Sequence, residues 1–334
     1  MGNIVLEVVN LKTYYYTPDG VVKAVDGVNF TVERGKCVAI VGESGSGKST
    51  IAASILRLVN PPGKIVEGKI MLEGENLLDK TLEEMRRLRG AEIAIVFQDP
   101  MSSLNPLFTS GFQVAEVLIE HEAMKLGEVS EKVVDLFRQV QIPDPQRVYS
   151  SYPHELSGGM KQRVMIAMSL ACRPKLLIAD EPTSALDVTI QAQILDLLKD
   201  IKEKLGTAIL FITHDLGLVP QIADEVAVMY AGKIVERGPV KQVFSKPRHP
   251  YTKALLGCYP RIRKGSLVSI RGSVPSLINP PTGCRFHPRC DRVFARCKEE
   301  EPKLTEVDLG HWVACHLYTE PEEKRHGDGS ANSS

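Results

Sequence analysis

Runs and alternations of apolar residues divide the chain into an opening α/β stretch, a helical middle and a return to strands. Residues 4 to 9 (IVLEVV) and 28 to 32 (VNFTV) are β-rich runs on either side of the turn-forming TPDG at 17 to 20, which predicts an antiparallel opening. CVAIV at 37 to 41 is a short, wholly apolar strand that runs through a glycine-rich loop into the helical pattern TIAASILRLV at 50 to 59. From about 100 to 170 the periodicity becomes helical in VAEVLIEHEAMK, SEKVVDLFRQV and KQRVMIAMSLAC, with Pro and Ser punctuation at 100 to 106 and 143 to 153. This predicts a helical insert. Continuous apolar runs then return as LLIAD at 176 to 180, AILFITH at 208 to 214 and VAVMY at 226 to 230, as strands covered on both faces require.

Beyond residue 240 the chain becomes rich in Pro, Arg and Cys, with HPYTKALL its one clear helical pattern. The end, EPEEKRHGDGSANSS, lacks the apolar residues needed to pack and is expected to be disordered. The expected fold class is α/β: a P-loop core over residues 1 to 240 with an antiparallel β subdomain and the helical insert. A small Cys-rich module over 241 to 320 and a tail over 321 to 334 follow.

Composition narrows the function classes. The chain has 334 residues, 43% hydrophobic and 25% charged, enough to bury a full core. Forty-one Lys and Arg balance 41 Asp and Glu, so no overall field draws the protein to nucleic acid or an anionic surface. No apolar run reaches the roughly 18 residues of a membrane span, and MGNIVLEVVN has neither a basic start nor a sustained apolar stretch. The expectation is a chain that is neither exported nor membrane-spanning by itself.

The chemistry concentrates in a few motifs. Gly42-Glu43-Ser44-Gly45-Ser46-Gly47-Lys48-Ser49 matches G-x-x-x-x-G-K-[ST] between a predicted strand and a predicted helix. Such glycines let backbone N–H groups close around phosphates, the helix start adds positive potential, and Thr50 continues that first turn. Lys48 is placed to reach the β and γ phosphates of a nucleotide and Ser49 to ligate Mg²⁺. The apolar strand LLIA ends in Asp180-Glu181, at the sheet edge where ligands of parallel sheets collect. Asp180 is placed to hold Mg²⁺ and Glu181 to polarise an attacking water. His214 ends the strand AILFIT, where an imidazole could meet a γ-phosphate. Leu156-Ser157-Gly158-Gly159-Met160 opens a helix, with Ser157 a natural N-cap and Gly158 and Gly159 leaving backbone amides uncovered, which reads as a second anion-binding helix end. A capped helix with an ordinary glycine turn reads the same residues equally simply.

In this order, the P-loop, Gln98 after EIAIVF, LSGGM, LLIADE, Ser184-Ala185-Leu186-Asp187 and His214 resemble the ATP-binding subunits of ABC transporters, over roughly residues 4 to 240. The resemblance implies a head-to-tail dimer in which the LSGGM of one subunit closes over ATP held by the other's P-loop. It further implies that Gln98 senses the γ-phosphate, joins the Mg²⁺ site and contacts the membrane subunits, that Asp187 bridges the subunits, and that His214 is the switch residue. An aromatic of Tyr14-Tyr15-Tyr16, with Tyr15 preferred, would stack on adenine. FQDPMSSLNP at 97 to 106, the TPDG insertion, and RHPYTKALL followed by PPTGCRFHPRC look like the oligopeptide and dipeptide importer ATPases and their nickel-transporting relatives. That resemblance implies a second ATPase subunit, identical or homologous, two membrane permeases and an extracytoplasmic substrate-binding protein. It also implies a peripheral place on the cytoplasmic face of the membrane, with the helical insert offering surface to the permeases. A soluble ABC-type ATPase acting on DNA or ribosomes would carry a basic face, a coiled coil or a tandem second domain, none of which the sequence contains.

The cysteines pose a separate question. Cys284, Cys290, Cys297 and Cys315 crowd into 32 residues, interleaved with Arg285, Arg289, Arg292 and Arg296. Four thiolates around Zn²⁺ or a [4Fe–4S] core leave a net charge near −2 that such arginines would offset. Structural zinc sites use cysteine pairs two to four residues apart, and none exists here, so the spacing favours [4Fe–4S] over zinc. His287, His311 and His316 keep a mixed Cys and His zinc site in play. The segment lies outside every ATPase motif, which predicts a structural role and a module separable from nucleotide binding.

Overall fold

In the computed structural model, residues 3–184, 186–258 and 270–318 are described; the expectation of disorder over 321–334 falls outside them. The antiparallel opening forms as two long strands, β1 (Ile4–Thr17) and β2 (Gly20–Glu33), closed by the TPDG turn and paired from Ile4 with Glu33 to Thr17 with Gly20. Both strands run well past the β-rich runs, because pairing supplies their polar stretches with backbone partners. β3 (Cys37–Val41), β4 (Gly63–Leu72), β5 (Glu75–Asn76) and β6 (Ile93–Val96) follow. With β4 and β5, the opening pair makes a four-stranded sheet in the order β2-β1-β4-β5.

A second sheet carries the core. β7 (Leu176–Asp180), β8 (Ala208–Thr213), β9 (Glu225–Tyr230) and β10 (Lys233–Pro239) join β3 and β6, and two strands from the tail, β11 (Thr305–Asp308) and β12 (His311–Val313), extend one edge. The order is β11-β12-β10-β9-β3-β8-β7-β6. β6, β7, β8, β3 and β9 run parallel, whereas β10, β12 and β11 pair antiparallel, so the sheet is mixed. The two tail strands lie in a segment whose sequence offered only one helical pattern, and they make the polypeptide beyond 240 part of the main sheet.

Strand alternation sends successive residues of the parallel strands into two different cores. Cys37, Ala39, Val41, Leu177, Ala179, Ile209 and Phe211 face the core beneath the helices, while Val38, Ile40, Leu176, Ile178, Leu210 and Ile212 face the antiparallel sheet. Continuous apolar runs were the only patterns able to fill both. The helical middle consists of short turns and α2 (Ser110–Glu122), α3 (Leu126–Gln139) and α4 (Gly158–Leu170), after α1 (Lys48–Ile55) and before α5 (Val188–Leu205). HPYTKALL folds as α6 (Pro250–Gly257).

The tail is held to the sheet by two devices. Glu236 of β10 is fully buried and accepts hydrogen bonds from the backbone N–H of Arg248 (2.7 Å) and His249 (2.8 Å) and pairs with His311 Nε2 (2.8 Å). One carboxylate thus joins β10, the turn before α6 and β12. Beside it the buried rings of Tyr230, Tyr251 and Phe286 pack with centroids 4.5 to 5.4 Å apart, the spacing of edge and tilted aromatic contacts.

Candidate functional site

The glycine-rich loop leaves β3 and enters α1 at Gly47, whose φ of 103° is left-handed. A Cβ there would lie 2.0 Å from the Ala24 carbonyl oxygen, and one on Gly42 would lie 2.1 Å from that of Met229, so backbone packs where side chains would stand. At Gly45 an added Cβ would meet open space, which marks the outer lip of the loop. Lys48 is buried, its Nζ donating to the carbonyls of Gly42 (2.9 Å) and Glu43 (3.1 Å). Burial pulls its ammonium below the ordinary lysine range, against the opposing pull of Glu181 and Asp180. Ser46 Oγ is buried without a hydrogen-bond partner, so the loop holds an orphaned hydroxyl as well as a cation.

Across the loop, β7 delivers its two carboxylates. Ser49 Oγ donates to Asp180 Oδ1 at 3.2 Å, putting two hard oxygen donors side by side, the chemistry that suits Mg²⁺. Burial raises the Asp180 carboxyl above its usual range, Glu181 adds to that rise, and the Ser49 hydrogen bond counters it. Glu181 follows with φ 48°, an uncommon conformation for a side chain this size, secured by its N–H donating to Ile212 O of β8 at 2.8 Å. The turn aims its carboxylate between Gln98 Nε2, which donates at 2.9 Å, and His214 Nδ1, also at 2.9 Å. Gln98 and His214, 83 and 33 positions from Glu181 in the chain, therefore meet at its one carboxylate.

The other candidate residues lie elsewhere. Ser157 caps α4, accepting from Met160 N at 3.3 Å, and a Cβ on Gly159 would come within 2.9 Å of Ile190. Asp187 caps α5 by accepting from the N–H groups of Thr189 and Ile190, both at 3.0 Å. These form a second cluster, and no hydrogen bond among the described residues joins it to the glycine loop. Tyr15 is half-buried, with its ring against Gly63, where an added Cβ would come within 2.7 Å of it. Ser44, the remaining loop residue, is exposed.

Cys284, Cys290, Cys297 and Cys315 line one small cavity of about 10 Å³ together with His249, His287, His316 and Arg292. Burial pushes the Cys284 thiol up to about 11 and the Cys315 thiol up to about 12, and the neighbouring cysteines add to both. The expectation of a four-cysteine metal centre is met only as far as this shared cavity. Among the described residues no three His, Cys, Asp or Glu side chains are drawn together into a group able to hold a metal ion.

Contacts that sequence reasoning missed tie the C-terminal region to the glycine loop. Arg289, from the turn between Cys284 and Cys290, grips the Glu43 carboxylate through Nη1 (2.8 Å) and Nη2 (3.1 Å), and Tyr251 Oη accepts the Glu43 backbone N–H at 3.0 Å. The nearest signal was the interleaving of arginines with the cysteines. Their partners lie more than 200 residues away, beyond any spacing rule.

A strand, glycine loop and helix at the edge of a parallel sheet, with a lysine and two carboxylates converging on it, define a P-loop nucleotide-binding protein. Residues 25–184 match the family described as ABC transporter, and residues 235–297 match the one described as oligopeptide/dipeptide transporter, C-terminal region. The chain is 50% identical to the oligopeptide transport ATP-binding protein AppD of Bacillus subtilis, over 94% of this chain and 97% of that protein. It is 47% identical to the dipeptide transport ATP-binding protein DppD of Escherichia coli, over 93% and 96%. The dimeric structure of the ATP-binding cassette MJ0796, in a post-hydrolysis state with ADP and Pi, superposes with TM-score 0.64 at 29% identity, over 70% of this chain and 98% of that one. The chain belongs to the ABC transporter family, as one of its ATP-binding proteins.

Proposed function

We propose that this chain is the ATP-hydrolysing subunit of an importer that takes up dipeptides and oligopeptides through separate membrane subunits. The observation that carries the reading is the convergence of Gln98 and His214 on Glu181, beside the Ser49 and Asp180 pair. The names of its relatives and the match over its C-terminal region support the peptide cargo over a nickel cargo or a non-transport role.

In this reading the N–H groups of Gly42 to Thr50 surround the phosphates, and Lys48 exchanges its two carbonyl partners for phosphate oxygens. Ser49 and Asp180, with Gln98, hold Mg²⁺, which when bound offsets charge on the transferred phosphoryl group. Glu181 orients and polarises the attacking water, released for that task as Gln98 and His214 turn toward the γ-phosphate. Tyr15 stacks on adenine. Ser157, Gly158 and Gly159 of one subunit close over the nucleotide of a second ATPase subunit, and Asp187 lies at that junction. Two permeases, a substrate-binding protein and a peripheral site on the cytoplasmic membrane face complete the assembly. No helix among the described residues is long and apolar enough to cross a membrane.

The four thiols on one cavity support a [4Fe–4S] cluster, with Zn²⁺ as the alternative, in the module formed by residues 241 to 320. Anaerobic purification with iron, sulfide and zinc analysis tests this: about four irons and four sulfides are expected, one zinc would replace the cluster, and no metal would end the proposal.

For the ATPase reading, Glu181→Gln is expected to cut Mg²⁺-dependent ATP turnover by roughly 100-fold or more while nucleotide still binds. Undiminished turnover in that variant would overturn the role of Glu181.

A further inference from the structure

The glycine loop carries a negative side chain, Glu43, directly after its first glycine, on the element that must receive a polyanion. Its carbonyl is held from within the loop, its N–H and carboxylate from outside it. The carbonyl of Glu43 accepts from Lys48 Nζ at 3.1 Å and from Ser46 N at 3.2 Å, both within the loop. Its N–H and its carboxylate are instead held by the C-terminal region, through Tyr251 Oη and the two-pronged grip of Arg289. Arg289 is itself fixed: its side chain is 5% exposed, its Nε donates to Arg271 O at 2.8 Å, and its guanidinium lies 5.8 Å from the centre of the Tyr230 ring. Four residues away, Arg285 reaches Asp26 of β2 and the carbonyl of Ala231, and Gly232 N donates to Ser46 O at 2.9 Å. The cysteine-bearing turn thus braces the loop directly through Arg289 and, through Arg285 on Ala231 next to Gly232, at one remove.

We infer that Arg289 is a positioning residue for ATP binding: it neutralises Glu43 and turns that carboxylate away from the phosphates, with Tyr251 holding the adjoining backbone. Without the guanidinium, an uncompensated carboxylate would stand beside incoming phosphate charge in a partly desolvated site, where repulsion is stronger than in water. A bidentate grip also fixes direction, which a lysine at this position would do less well. The inference rests on the nucleotide reading above and adds to it a residue outside every nucleotide-binding motif.

The test is fluorescence titration of the full chain with MANT-ATP and Mg²⁺, alongside thermal melting without nucleotide. Arg289→Ala is expected to bind about tenfold more weakly, equivalent to about 1.4 kcal/mol. Arg289→Lys should retain most of the affinity. Removing the repelling charge as well, in Arg289→Ala with Glu43→Gln, should return affinity to within about twofold of the unsubstituted protein. A merely structural ion pair would not be rescued in that way, since the double variant restores no contact. Unchanged binding in Arg289→Ala, or a double variant as weak as the single one, overturns the inference. If Arg289→Ala melts too low to titrate, Arg289→Gln against Arg289→Gln with Glu43→Gln gives the same comparison. Failure of the unsubstituted protein to bind MANT-ATP would overturn the nucleotide reading and this inference together, whereas normal binding there with an indifferent Arg289→Ala overturns this inference alone.

Discussion

The nucleotide edge and the cysteine-lined cavity are both built from irregular turns, yet they are held together by opposite means. At the nucleotide edge the backbone does most of the work. The loop from Gly42 to Ser49 is contiguous, its strand and helix are adjacent, and the parallel sheet brings the ends of β3, β7 and β8 to one side. At the cavity, side chains do it. Glu236 collects three donors from two separate segments, Arg285 and Arg289 cross to β2 and the loop, and aromatic rings fill the gap. A backbone-built site keeps its fold through most side-chain changes, even where one such as Arg289 tunes its charge, whereas a side-chain-built one depends on a few polar groups that burial makes costly to lose.

The largest expected effect breaks the second region at its centre. Glu236→Ala leaves the N–H groups of Arg248 and His249 and the His311 ring buried without their acceptor. Each unsatisfied group costs about 1 to 3 kcal/mol, so a loss of roughly 3 kcal/mol or more is expected in urea denaturation. If β12 and the turn before α6 were held chiefly by apolar packing, the loss would stay below about 1 kcal/mol and the contrast between the two regions would fail.

That contrast also explains what could be read from the chain. The strands at 37–41, 176–180 and 208–213 were legible because two-sided burial demands unbroken apolar runs, and the glycine loop because its chemistry is local. The sequence and the resemblance assigned Gln98, Glu181 and His214 separate tasks around a nucleotide, and the hydrogen bonds of 2.9 Å that join Gln98 and His214 to Glu181 were not among those expectations. β11 and β12 were illegible: one alternates charged with neutral residues, the other is three residues long, and both exist because the edge of β10 is available to pair. The Arg289 to Glu43 contact was hidden for another reason. A salt bridge leaves no periodic signature, and either residue alone reads as a solvated charge.

A smaller effect sharpens the same comparison through pH. His249 is buried beside the cavity, and burial holds its imidazolium down to about 4. Its folded value lies below the unfolded one near 6.5, so as pH falls the unfolded chain takes up the proton first. Stability is therefore fully present above about pH 6.5 and is lost progressively down to about pH 4. Between pH 7 and 5 the histidine alone should remove about 2 kcal/mol. His249→Gln, which titrates no proton, should lose that much less over the same interval than the unsubstituted protein. Equal losses in the two proteins would mean that the ring is protonated or solvated in the fold, and that the region is not the dry, side-chain-built structure described.

The smallest effect on stability separates the two roles of Ser157, which belongs to the first region's style of construction. As an N-cap it satisfies Met160 N, and its loss in Ser157→Ala is expected to cost about 1 kcal/mol. Ser157→Asp keeps an equally good cap and a favourable charge for the helix dipole, so stability should recover. The same carboxylate would face the phosphates of a nucleotide if this helix end closes over one. Turnover should then fall well below that of the unsubstituted protein in Ser157→Asp even though the fold is restored, reversing the order seen in melting. Turnover that simply follows stability through both variants would make Ser157 a cap and nothing more, and would remove the second helix end from the catalytic arrangement while leaving the loop of Lys48 untouched.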